Sequence, residues 1–252
     1  MGVGSKGPAP FLFSGVTMAK RRANSNPNFE ETGVNRFFLR KISPLTETQK
    51  EVFDSYAEGY NLMLHGYAGT GKSFISLYLA LKDVLTDNIP YDKVVIIRSV
   101  VQSRDMGFLP GTEKEKMKVF EEPYREIFAQ IFNRKDSYDM LRLKNKVEFT
   151  TTSFLRGLTF EKSIIIVDEA QNMNFQELDT VITRVGTDSK IIFCGDFRQT
   201  DLNKKNDMSG IKQFMDITDR INSFVNIEFE IDDIVRSGLV KEYIIQKTEL
   251  GI

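Results

Sequence analysis

Residues Gly66-Tyr67-Ala68-Gly69-Thr70-Gly71-Lys72-Ser73 spell a complete G-x-x-x-x-G-K-S loop, and no other stretch limits the folding of this chain so narrowly. The apolar run Leu62-Met63-Leu64 before it reads as a strand, and the residues from Phe74 onward read as a helix. A glycine-rich turn between a strand and a helix lets successive backbone N–H groups point at a chain of phosphates, and the positive end of the helix adds to that field. In such a loop Lys72 reaches the β- and γ-phosphates and Ser73 ligates Mg²⁺, so nucleoside triphosphate binding is the first expectation.

From Thr46 onward, short apolar runs alternate with amphipathic ones, the signature of βαβ units on a parallel sheet. Strands are expected at residues 61–65, 93–99, 147–151, 163–168, 190–194 and 225–231. Helices are expected at 46–59, 73–85, 114–133, 175–185, 209–220 and 239–247. Ile164-Ile165-Ile166-Val167 and Val94-Val95-Ile96-Ile97 are apolar without alternation, as suits strands buried on both faces.

The run Ile164 to Val167 delivers Asp168-Glu169-Ala170-Gln171 at its C-terminal end, the edge where ligands bind in open α/β sheets. Asp168 stands where Mg²⁺ is held through a water, and Glu169 where a base orients and deprotonates an attacking water. Gly195-Asp196-Phe197-Arg198-Gln199 closes another strand. Gln199 is a candidate γ-phosphate sensor and Arg198 a candidate for the nucleotide or a neighbouring subunit, and the same residues read equally as a strand-to-loop turn. Arg236, after Asp232-Asp233, is either an arginine finger or the partner of those acids. Gln49 either reads an adenine edge or completes the capping box Thr46-Glu47-Thr48-Gln49.

Composition decides what is left out. With 34 Lys+Arg against 35 Asp+Glu in 252 residues, net charge lends no support to a polyanion or membrane-surface partner, so basic contacts have to be local. The one cysteine, Cys194, forbids an internal disulfide and cannot alone build a zinc site, which suits a reducing compartment and a cytoplasmic location. No run of apolar residues is long enough to span a bilayer. Residues 1–44 are rich in Gly, Pro, Ser and Asn and lack periodicity, so they are expected to form a flexible arm ahead of one α/β domain at 45–252. In that arm Lys20, Arg21, Arg22, Arg36, Arg40 and Lys41 outnumber Glu30 and Glu31.

Taken together these stretches resemble the PhoH family. Besides the loop and Asp168 to Asn172, the resemblance rests on Gly107-Phe108-Leu109-Pro110-Gly111, Pro123-Tyr124 and Phe154-Leu155-Arg156-Gly157-Leu158-Thr159. Gly195-Asp196 with Gln199, Asp201-Leu202, and Asp233 to Arg236 with Leu239-Val240 complete it. It implies a single RecA-like P-loop domain, similar to the nucleotide-binding half of superfamily 1 helicases, that binds and hydrolyses ATP with Mg²⁺. Gln49, the loop residues Gly66 to Ser73, Gln199 and Arg236 would contact the nucleotide. It further implies action on single-stranded nucleic acid, RNA before DNA; Arg98, Arg104 and Arg156, near strand ends or in loops on the expected ligand side, are candidate contacts. Arg98-Ser99-Val100 departs from the family's usual Arg-Pro-Ala, and Arg198 replaces a residue that is usually uncharged.

A helicase closes ATP between two such domains and only one fits here, so a neighbouring subunit is expected to complete the site in a hexameric ring, with Arg236 or Arg198 reaching across. Two other readings stay open: a nucleotide-gated nucleic-acid clamp that does not unwind, and a thymidine-kinase-like nucleoside kinase, whose zinc lobe one cysteine cannot build.

Overall fold

A computed structural model describes residues 29–31, 37–99, 113–196 and 205–250. The expectations placed on Arg104, residues 107–111, Arg198, Gln199 and residues 201–202 lie outside these.

The elements run β1 (Phe29–Glu31), β2 (Phe38–Arg40), α1 (Glu47–Ala57), β3 (Asn61–Gly66), α2 (Lys72–Val84), β4 (Lys93–Arg98), α3 (Glu113–Phe132) and α4 (Ser137–Leu143). They continue with β5 (Val147–Thr151), β6 (Ser163–Asp168), α5 (Phe175–Ile182), β7 (Lys190–Cys194), α6 (Lys205–Thr218), β8 (Phe224–Phe229) and α7 (Gly238–Glu249). Strands β3 to β8 form one parallel sheet in the order β5-β4-β6-β7-β3-β8. The expected α/β class, a parallel sheet flanked by helices, is the one the chain adopts.

The non-alternating apolar strands are explained by two cores, one on each face. Ile164 and Ile166 join Val94, Ile96 and Leu64 beneath α1 to α4, while Ile165 and Val167 join Val95, Ile97 and Met63 beneath α5 and α6. Every residue of β6 is buried. Each fully buried Ile or Val contributes about 1.5–3 kcal/mol relative to exposure, so this four-residue run anchors the centre of the sheet.

Helix starts follow local chemistry. The Thr46 hydroxyl accepts the Gln49 N–H at the head of α1, and Asn174 with Glu177 forms a reciprocal capping box at the head of α5.

Two features differ from the sequence expectation. A hairpin, β1 paired antiparallel to β2, occupies part of the expected arm, and Phe37 and Leu39 are buried against the α1 to α4 face, with Phe37 edge-on to Phe132. The packed body therefore begins before residue 44. Helix α4, with no counterpart in the periodicity reading, buries Tyr138 and Leu141 between α3 and β5.

Candidate nucleotide site

All six parallel strands end at one edge, and strand order decides which loops meet there. The glycine-rich loop leaves β3, the Asp168-Glu169 pair leaves β6, and β7 between them ends in Cys194-Gly195-Asp196. Together with α3 they enclose a cavity of about 670 Å³ that is lined by Gly69, Lys72, Ser73, Asp168, Glu169 and Arg236, among others.

Glycine is structurally demanded at two positions of the loop. Gly66 has φ +109°, and a Cβ there would lie 2.1 Å from the Phe229 carbonyl oxygen at the end of β8. Gly69 has φ +78°, and its Cβ would lie 2.8 Å from Cγ of Arg236. The loop therefore takes its shape from both its own chain and the residues after β8, where the Val235 N–H also donates to the Gly69 carbonyl at 3.1 Å.

Lys72 Nζ is folded back, donating to the carbonyls of Gly66 (2.9 Å) and Tyr67 (2.6 Å) and to the Thr70 hydroxyl (3.3 Å). Burial holds its pKa below the ordinary lysine value, opposed by the neighbouring carboxylates of Asp196, Glu169 and Asp168. Ser73, one residue on in the first turn of α2, donates to Asp168 Oδ1 at 2.5 Å.

The other oxygen of Asp168 accepts from the Tyr124 hydroxyl at 2.8 Å. Burial lifts the Tyr124 pKa well above normal, the Asp168 charge adds to this and Arg98 opposes it, so Tyr124 stays protonated and remains a donor. A serine hydroxyl in contact with a carboxylate is the oxygen pair that a hard cation accepts alongside phosphate oxygens and water, and the chemistry of this pair fits Mg²⁺. Among the described residues there is no group of three His, Cys, Asp or Glu that could hold a metal ion.

Glu169 adopts a left-handed backbone conformation, φ +53°, unusual for a non-glycine residue. Gln171 Nε2 donates to its Oε2 at 2.6 Å, while Gln171 Oε1 accepts the Asp196 N–H at 3.1 Å. Gln171 thus ties the ends of β6 and β7 together and orients the candidate base.

Gln49 is 3% exposed, and its side chain is engaged at both ends. Oε1 accepts the Leu45 N–H (2.7 Å) and Nε2 donates to the Thr70 carbonyl (2.9 Å), so it braces the glycine-rich loop. The expected box is modified: Thr46 caps the Gln49 N–H, and the carboxamide reaches Leu45 in place of Thr46.

Arg236 lies against its own chain's loop. Asp233 Oδ2 accepts from the Thr48 hydroxyl and the Glu230 N–H, both at 2.9 Å. Of the residues singled out from sequence, the structure brings together Gln49, Gly66 to Ser73, Asp168, Glu169 and Arg236.

Tyr124, Gln171 and Asp196 are site residues to which sequence reasoning assigned no role. Pro123-Tyr124 had signalled a resemblance, and nothing in its spacing tells that the phenol meets Asp168. Arg98 ends β4 in register with Asp168 and Thr151, its guanidinium over the Phe120 ring at 5.8 Å. Phe154 and Arg156 are exposed on the segment after β5. No helix among the described residues is long and apolar enough to cross a membrane.

With this geometry established, comparison with known proteins yields a consistent set of relatives. Protein PhoH of Escherichia coli is 31% identical over 226 residues, covering 89% of this chain and 59% of that protein. A PhoH-like protein of Mycobacterium leprae is 29% identical over 237 residues, covering 91% of this chain and 65% of that one. The chain thus spans about three-fifths of the length of these curated relatives. Among solved structures, the large terminase of a thermophilic bacteriophage in complex with ADP matches 79% of this chain and 49% of that one, at 13% identity and a TM-score of 0.46. The family model described as PhoH-like protein matches residues 41–247, every segment of the cavity just described among them, and the chain belongs to the PhoH family.

Proposed function

We propose that this chain is a Mg²⁺-dependent ATPase that acts on single-stranded nucleic acid, RNA before DNA, as a homo-oligomeric ring. The observation that carries the reading is the Ser73–Asp168 contact beside Lys72 and Glu169 in one cavity. It joins a phosphate-binding loop, a metal-binding oxygen pair and a candidate base.

In this mechanism the first-turn N–H groups of α2 take the phosphate chain, and Lys72 exchanges the carbonyls of Gly66 and Tyr67 for β- and γ-phosphate oxygens. Ser73 and Asp168 would hold Mg²⁺, which when bound neutralises charge on those oxygens. Glu169, held through one oxygen by Gln171, accepts the proton of the attacking water. Arg236, whose stem lies on Gly69, meets spreading γ-phosphate charge from within the same chain, which leaves Arg198 as the arginine available to reach across subunits.

Support for a polynucleotide partner is local: Arg98 ends β4 and Phe154 follows the end of β5, at the strand ends from which the loop also leaves, and Arg156 is exposed two residues further on, so guanidinium and ring surface are offered to phosphates and bases. In the ring, a neighbouring core would close over the single nucleotide loop that the described parallel sheet carries.

Steady-state ATP hydrolysis with and without single-stranded RNA or DNA, on wild type and Glu169→Gln, is the test. The substitution is expected to lower turnover about 10²- to 10³-fold while ATP still binds. Unchanged turnover would remove Glu169 from the role of base. RNA is expected to raise the rate more than DNA, and a rate indifferent to both would sink the nucleic-acid reading. Specific activity that falls on dilution supports the ring, and activity independent of dilution rules it out.

A further inference from the structure

The two oxygens of Asp168 are held from two different helices, by Ser73 of α2 on Oδ1 and by Tyr124 of α3 on Oδ2. A carboxylate with one partner is free to turn about its terminal torsion, whereas one with two opposed donors is held in a single plane. Tyr124 is 1% exposed and packs its ring on Phe149, with centroids 5.7 Å apart. Phenylalanine would fill that space equally well, and a hydroxyl buried there needs a partner to offset its desolvation. That partner is the carboxylate that the site offers to a metal.

We propose that Tyr124 is a positioning residue that orients the Asp168 carboxylate for Mg²⁺, so that α3 is a working part of the metal site. The inference rests on the reading of Ser73 and Asp168 as the metal-binding pair. Groups that orient a metal ligand without touching the metal commonly govern its affinity by one or two orders of magnitude.

The test is the affinity of the full-length chain for a fluorescent ATP analogue, measured in EDTA and across a Mg²⁺ titration. For Tyr124→Phe the metal-free affinity is expected to match wild type, while the Mg²⁺-dependent gain falls about tenfold and half-saturating Mg²⁺ rises by the same factor. Ser73→Ala serves as the reference for loss of a direct ligand. If Tyr124→Phe keeps the wild-type Mg²⁺ dependence while Ser73→Ala loses it, the phenol is only packing and the proposal falls. If wild type itself shows no Mg²⁺-dependent gain, the metal reading of Ser73 and Asp168 falls first.

A second measurement needs no variant. In wild type, Mg²⁺ with nucleotide should slow amide hydrogen exchange across residues 120–128 of α3 more than nucleotide in EDTA does, and equal protection overturns the proposal.

Discussion

Two lysines are buried at opposite ends of the same sheet, in different surroundings. Lys72 opens α2 beside the ends of the strands, while Lys190 opens β7 at the far edge; they are 8% and 5% exposed. Burial lowers the pKa of both. Lys190 donates to the Tyr56 carbonyl at 2.8 Å and lies 3.9 Å from the centre of the Tyr56 ring, with the Asp83 charge opposing its shift. The Tyr56 hydroxyl in turn donates to Asp83 at 2.8 Å, so that end is a closed polar knot. Lys72 also bonds only to its own chain, yet its neighbours Asp168, Glu169 and Asp196 line a cavity and a helix N-terminus begins at its own position. Burial and a lowered pKa are therefore shared by a structural lysine and by the lysine proposed to meet phosphate. What separates them is open space lined by acids at a helix N-terminus.

Three substitutions or conditions sharpen this contrast. The largest effect is expected from Lys72→Ala, which should reduce ATP turnover at least about 10²-fold, because a charge aimed at the developing phosphate charge is lost. Steady-state kinetics beside a thermal melt would show a catalytic loss far larger than any loss of stability.

Lys190→Met should do the reverse. It removes one hydrogen bond while relieving a buried charge, costing about 1 kcal/mol in denaturant unfolding, with turnover unchanged. A large loss of turnover in this variant would erase the distinction between the two ends.

The smallest effect concerns Cys194, whose thiol is pushed up to about 12, chiefly by burial, with the Asp168 charge adding to it. The folded thiol keeps its proton where an ordinary one, at 9.0, has lost it. The stability this confers is complete below pH 9 and is lost as pH rises from about 9 toward 12. Alkylation at pH 9 should label the unfolded chain and spare the native one, and equal rates would show the thiol to be accessible.

Much of the fold was legible because its decisive signals are local. The strands at 93–98, 147–151, 163–168 and 190–194 stand at or within one residue of where apolar runs placed them, since burial on both faces demands unbroken hydrophobicity. The hairpin of β1 and β2 was not legible, because three-residue strands carry no periodicity and are held by Phe37 and Leu39 meeting a core built from distant residues. Helix α4 escaped for a similar reason, its seven residues being too few for a repeating face. In α7 the end was anticipated within two residues, although none of its residues is buried.

The candidate site divides along the same line. The placement of Gly66 to Ser73 between a strand and a helix, and of Asp168 and Glu169 at a strand end, was legible in the sequence alone, because both patterns are written in contiguous residues. Tertiary structure alone decided that Tyr124 meets Asp168, that Gln171 ties Glu169 to Asp196, that Gln49 braces Thr70, and that Arg236 lies on its own chain's Gly69. Each of these pairings depends on strand order and on how helices settle across the sheet. Contacts between residues far apart in sequence are selected by packing and hydrogen-bond satisfaction across the whole core, and no short stretch of the chain encodes them.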